Sequence, residues 1–196
     1  ADADVPRVVY TSTLAVFGDT GGRVVDEGYR MDGPWLSEYD RTKWLAHYEV
    51  ALPMMEAGLP LIIVQPGLVY GPGDHSNVGL ALRDYLRGRL PAIPDQGGCW
   101  AYVEDTARGH VLAMEHGVVG ETYIISGRPH MWKEALAIAE EVSGIRAPRF
   151  VLPAPLARLA SILMKPVAAL VPPDPAAKPA PGQPAPPPVA AATPMR

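Results

Sequence analysis

A chain of 196 residues, 48% hydrophobic and 19% charged, is long enough to bury a sizeable core. Its formal charge of −4, with no basic stripe, excludes a general nucleic-acid binder, which needs clustered cations to meet phosphates. A single cysteine, Cys99, excludes an internal disulfide framework and suits a reducing cytoplasm, and five scattered histidines show no metal-ligand spacing, so no metal is expected.

In chain order, the β-branched and aromatic run of residues 8–11 predicts a buried strand, with the hydroxyls of Ser12 and Thr13 at its carboxyl end. In open α/β sheets, ligands sit outside the carboxyl ends of strands, so hydroxyls there are well placed for chemistry. Residues 18–22, Gly-Asp-Thr-Gly-Gly, read as a loop on the same side. Residues 37–57 predict a long helix that Pro53 should kink or shorten near its end. It carries Tyr39 and Lys43, four residues apart and so on one face. A cation one turn from a tyrosine favours the phenolate, the form that takes a proton from a hydroxyl.

The apolar residues 61–64, set between Pro60 and Pro66, predict a buried parallel strand. Residues 65–74 are rich in glycine and proline and predict a loop that continues neither helix nor strand, where backbone can approach a flat ligand closely. Beyond it, helices are expected over residues 78–87, 105–116 and 132–142, with a proline-containing loop over 88–98. Ala107, Val111, Leu112 and Met114 are expected on or near the buried side of the second helix, and Ala135, Ile138 and Val142 in the core face of the third. Residues 156–171 are apolar but interrupted by Arg158, Lys165 and Pro166, which predicts an amphipathic helix and no membrane span. From residue 172 to 196, ten of 25 residues are proline and most others are small, so this tail is expected to be disordered.

Taken in order, the segments at residues 7–18, 37–44 and 65–74, with Trp100-Ala101-Tyr102-Val103-Glu104-Asp105 and residues 120–127, resemble the extended short-chain dehydrogenase/reductase family. This is the NAD-dependent epimerase/dehydratase group, with its dihydroflavonol-reductase-like relatives, and the resemblance covers about residues 5–165. It implies an α/β fold: the second half of a Rossmann-like, doubly wound parallel sheet over residues 1–74, and a smaller α/β substrate-binding lobe over 75–171. It implies Tyr39 as general acid/base, Lys43 as the cation that tunes it and holds the nicotinamide ribose, and Thr13 as the hydroxyl that meets the substrate oxygen. Thr13 takes that role because it stands five residues before Gly18; Ser12 is the neighbouring candidate. Pro66 and Val69 match loop positions that pack against the nicotinamide. Tyr102 and Glu104 depart from the family's usual His and Asp.

The resemblance further implies NAD or NADP as cofactor, a small-molecule substrate, and homodimerisation of the whole protein through the long helix. The substrate would present a hydroxyl or carbonyl carbon on a sugar nucleotide, a steroid-like or a flavonol-like molecule. No G-x-G-x-x-G stands near the start, where the family's pyrophosphate-holding turn belongs, so the sequence reads as a fragment without the first half of the nucleotide domain. Two functions are open at this point: an NAD(P)-dependent oxidoreductase or epimerase, and a non-catalytic remnant or binding module of the same fold.

Overall fold

A computed structural model describes residues 5–31 and 33–153. The readings for 156–171 and 172–196 lie outside the described residues.

The first sheet has the order β1-β2-β6, built from Val8–Thr11 (β1), Leu61–Pro66 (β2) and Thr122–Ile125 (β6), and all its pairings are parallel. β2 is buried along its whole length, as a central strand covered on both faces must be. Side chains alternate across it. Leu61 and Ile63, with Val8 and Tyr10 of β1, pack under Ala51, Leu52 and Met55 of the long helix. Ile62 and Val64, with Val9, Tyr123 and Ile125, pack on the other face against Ala113 of α4 (Val103–His116). The result is a helix–sheet–helix sandwich, the α/β architecture expected. β6 lies well beyond residue 74, yet both it and α4 join this sandwich, so the segment expected to form the smaller lobe also contributes to the first sheet.

The long helix is capped by Ser37, whose Oγ accepts the Asp40 N–H at 3.1 Å and donates to Asp40 Oδ2 at 2.8 Å. It runs as α1 (Glu38–Trp44), a π-helical stretch (Leu45–Ala51) and α2 (Leu52–Glu56). Pro53 therefore does not end the helix. A proline ring collides with the carbonyl four residues earlier, and the wider turn, seen in the Leu52 N–H bonding to His47 O, relieves that crowding.

The region expected to be plain loop holds strand instead. β2 continues through Pro66, and Leu68–Tyr70 (β3) pairs in parallel with Gly97–Tyr102 (β5), which pairs antiparallel with Pro129–Met131 (β7). Pro66 is tolerated because its missing N–H would face β1, whose last ladder bond is Ser12 N–H to Val64 O at 2.8 Å. A second core joins Tyr85, Ile93, Trp132 and Leu136, which come from α3 (Asn77–Leu86), β4 (Ile93–Pro94) and α5 (Trp132–Ser143). β4 pairs with Val151–Leu152 (β8).

Two helix faces differ from expectation. On α4 the inward positions are Thr106, Gly109, His110 and Ala113, while Ala107, Val111, Leu112 and Met114 are exposed. The helix lies close on the sheet at Gly109, where a Cβ would strike the Ile125 side chain, and at Ala113, which packs against Ile62 and Val64. On α5, Trp132, Leu136 and Ala139 face the core, Ala135 is half-buried, and Ile138 and Val142 look outward.

Candidate functional site

The carboxyl ends of β1 and β2 and the first turns of the long helix converge here. The last residue of β1, Thr11, and the two that follow it, Ser12 and Thr13, are three consecutive hydroxyls. Thr13 leaves the ladder in extended conformation and caps a short 3₁₀ turn (Leu14–Phe17), its Oγ1 accepting the Ala15 N–H at 3.2 Å. Because that oxygen is engaged as an acceptor, its own O–H remains to be donated, as contact with a substrate alkoxide or carbonyl requires. The 3₁₀ turn packs against α1, which carries Tyr39 and Lys43. Its exit at Gly18 has φ 58°, and a Cβ there would collide with the Met31 sulfur, so only glycine suits this turn.

Tyr39 is 55% exposed, its side chain open to a reactant. Lys43 Nζ stands 5.7 Å from the centroid of its ring. No carboxylate among the described residues forms an ion pair with this half-buried lysine. Ser12, the alternative hydroxyl, is only 5% exposed, and its Oγ lies 3.0 Å from Nδ1 of His47, itself 2% exposed. Burial depresses the His47 pKa from 6.5 to about 4, so the ring is neutral near pH 7. Ser12 is thus an internal anchor, while Thr13 is half-buried and caps the turn that packs against the helix carrying Tyr39 and Lys43.

Pro66 and Val69 flank the junction of the two sheets. Pro66 is buried at the end of β2 in register with Ile125, and Val69 lies in β3 in register with Ala101. Between them Gly67 donates its N–H to Ile125 O at 3.1 Å, and a Cβ on it would strike the Cys99 carbonyl oxygen. Strand-to-strand contact this close is what glycine supplies here. Nearby, the Tyr70 ring lies 5.7 Å from Trp100 and 5.8 Å from Tyr102, giving an aromatic wall beside the junction. Glu104 is exposed in the first turn of α4. Among the described residues no three His, Cys, Asp or Glu side chains come together as a metal site, and no helix is long and apolar enough to cross a membrane.

A parallel sheet sandwiched by helices, hydroxyls at a strand's carboxyl end and a Tyr-x-x-x-Lys helix beside them define a Rossmann-type class of nicotinamide-dependent proteins. The chain belongs to the NAD dependent epimerase/dehydratase family, whose model matches residues 1–126, and NAD is the cofactor of that family. It is 30% identical over 169 residues to sterol demethylase protein B of Methylococcus capsulatus, an alignment covering 84% of this chain and 51% of that protein. It is 31% identical to a putative dihydroflavonol 4-reductase of Synechocystis, covering 77% of this chain and 46% of that one. A nucleoside-diphosphate-sugar epimerase from Pseudomonas aeruginosa superposes with a TM-score of 0.70 at 26% identity, covering 85% of this chain and 57% of its own. The chain spans about half the length of the relatives it matches.

The described residues fit the nicotinamide end of such a dinucleotide. They include an exposed tyrosine, a lysine with no carboxylate partner among them and a glycine-bearing strand junction. Two histidines at the end of β1, His47 bonded to Ser12 and His110 bonded to Thr11, were not singled out from the sequence. The spacing of His47, four residues after Lys43, was the available signal, since it places both on one helix face.

Proposed function

We propose that the protein to which this chain belongs is an NAD(P)-dependent oxidoreductase or epimerase. It would act on a carbon-borne hydroxyl or carbonyl of a small molecule. The observation that carries this reading is the packing of the Thr13 turn against the helix bearing Tyr39 and Lys43. In the oxidising direction Tyr39 takes the proton of the substrate hydroxyl through its phenol oxygen, and in the reducing direction it returns one. Lys43, on the same helix face, favours the phenolate and holds the cofactor's ribose. Thr13 donates its O–H to the substrate oxygen and thereby orients the carbon, a positioning effect that supplies much of the rate in such reactions. Pro66 and Val69 would pack against the nicotinamide, which supplies the hydride acceptor or donor when bound.

The test is turnover with NAD or NADP, measured on the whole protein to which this chain belongs. Tyr39→Phe should lower kcat by about 10²–10⁴-fold, with cofactor affinity nearly unchanged, because it removes the acid/base oxygen and little else. Lys43→Met should harm both. Near wild-type turnover in Tyr39→Phe would overturn the assignment. Complete inactivity of the parent towards hydroxyl and carbonyl substrates would favour a non-catalytic binding module.

A further inference from the structure

We propose that His47 and His110 are positioning residues that clamp the Thr11-Ser12-Thr13 strand end from opposite faces of the sheet and so fix where the Thr13 hydroxyl points. Its bearing on catalysis rests on the reading of Thr13 given above. The geometry itself stands without that reading.

Side chains alternate along β1. Val9 faces α4, and two residues on Thr11 does the same, its Oγ1 lying 2.9 Å from His110 Nε2. Tyr10 faces the long helix, and so does Ser12, 3.0 Å from His47 Nδ1. The two contacts therefore grip adjacent residues from the two sides of one strand. On the α4 side the hydrogen-bond direction is determined. His110 Nδ1 lies 2.7 Å from the Thr106 carbonyl, which can only accept, so Nδ1 carries the proton. In the neutral ring Nε2 then accepts the Thr11 hydroxyl proton. Thr106 is fixed in turn, its Oγ1 donating to Tyr102 O at 2.9 Å.

The strand end needs such anchors. The last ladder bond between β1 and β2 is Ser12 N–H to Val64 O. Thr13 comes after that bond, so the ladder does not orient it. Beyond its last ladder bond a strand end can still rotate about its own axis, and that rotation would swing the Thr13 side chain. Hydrogen bonds from both faces, one residue apart, resist rotation in either sense.

The experiment uses the labelled 196-residue chain and needs no turnover, so it separates this proposal from the catalytic reading. NMR couplings report the Thr13 χ1 rotamer, and amide exchange reports the Ala15 N–H that Thr13 Oγ1 accepts. His47→Leu and His110→Leu should each speed Ala15 exchange by about tenfold, the factor expected for one lost hydrogen bond, and should mix the χ1 rotamers. The Ile62, Ile63 and Val64 amides of β2 should stay close to wild type. His47→Asn, which keeps a polar atom near the Nδ1 position, and His110→Gln, which keeps one near Nε2, should restore both readouts. If a leucine variant fails to fold, Ser12→Ala and Thr11→Val remove the same bonds from the other side and should give the same local loosening. Unchanged Thr13 couplings, or Ala15 exchange rising only in step with β2, would show that the histidines merely fill space and would overturn the proposal.

Discussion

At the residue scale, the polar side chains buried beneath the Tyr39–Lys43 helix are the most consequential. His47 is held neutral by burial, with a folded pKa of about 4 against the ordinary 6.5. The stability this gives is fully present above pH 6.5, and it is lost as the pH falls towards 4, where the folded ring must also take up a proton. The loss amounts to about 3 kcal/mol over that interval. Urea unfolding across pH 4–7 should show this slope, and His47→Gln should flatten it; an unchanged slope in the variant would assign the acid sensitivity elsewhere. Gln65 lies next to Ser12 across the ladder. It is 0% exposed, and neither its Oε1 nor its Nε2 finds a partner among the described residues. A buried amide without hydrogen bonds costs about 1–3 kcal/mol. Gln65→Met, of similar length and apolar, should therefore stabilise the 196-residue chain by about 1 kcal/mol or more, read as a higher urea midpoint. A lower midpoint would mean that the amide is satisfied.

At the element scale, the junction between β2 and β3 decides the shape of the site. Gly67 lets two strand systems meet with no side chain between them, and the obstacle to a Cβ there is the backbone oxygen of Cys99, which cannot rotate away. Gly67→Ala should destabilise the chain by about 1–3 kcal/mol, the usual cost of overpacking. It should also move amide NMR shifts of both β3 and β5, since these strands must separate for the methyl to fit. Shifts confined to residues 66–68 would show that the junction has slack. The long helix makes a related point: its π-helical stretch carries the chain past Pro53 and also presents His47 to Ser12.

At the scale of the whole molecule, the proposed function has the described residues supply one end of a dinucleotide site. In that reading Lys43 would meet the nicotinamide ribose, and the sequence contains no glycine-rich strand–turn–helix near its start to cradle a pyrophosphate. Such a set of backbone N–H contacts is worth several kcal/mol, or about a thousandfold in affinity. Calorimetry on the 196-residue polypeptide with NAD and NADP should therefore detect no binding tighter than about 1 mM. A micromolar constant would show that the nicotinamide edge suffices alone. The outward apolar residues of α4 (Val111, Leu112, Met114) and of α5 (Ile138, Val142) have the same molecular-scale character, a face wider than the described contacts cover.

The sequence by itself determined the local and the chemical. The β-branched run before Thr13, the capped helix with Tyr39 and Lys43 on one face and the apolar run of β2 are short-range patterns, and each element formed where its periodicity placed it. Family membership was legible for the same reason, because its motifs are ordered runs of neighbouring residues. Only tertiary structure decided the rest. The glycine- and proline-rich stretch became β3 because a partner strand lay across Gly67, a contact with a residue 32 positions away. The covered stripe of α4 became Thr106, His110 and Ala113 because apolar periodicity shows that a helix has a face without saying which one a neighbour will cover. Ser12 and Thr13 look alike in sequence. What separates them is the alternation of β1, which turns one hydroxyl into the interior onto His47 and leaves the other to cap the 3₁₀ turn.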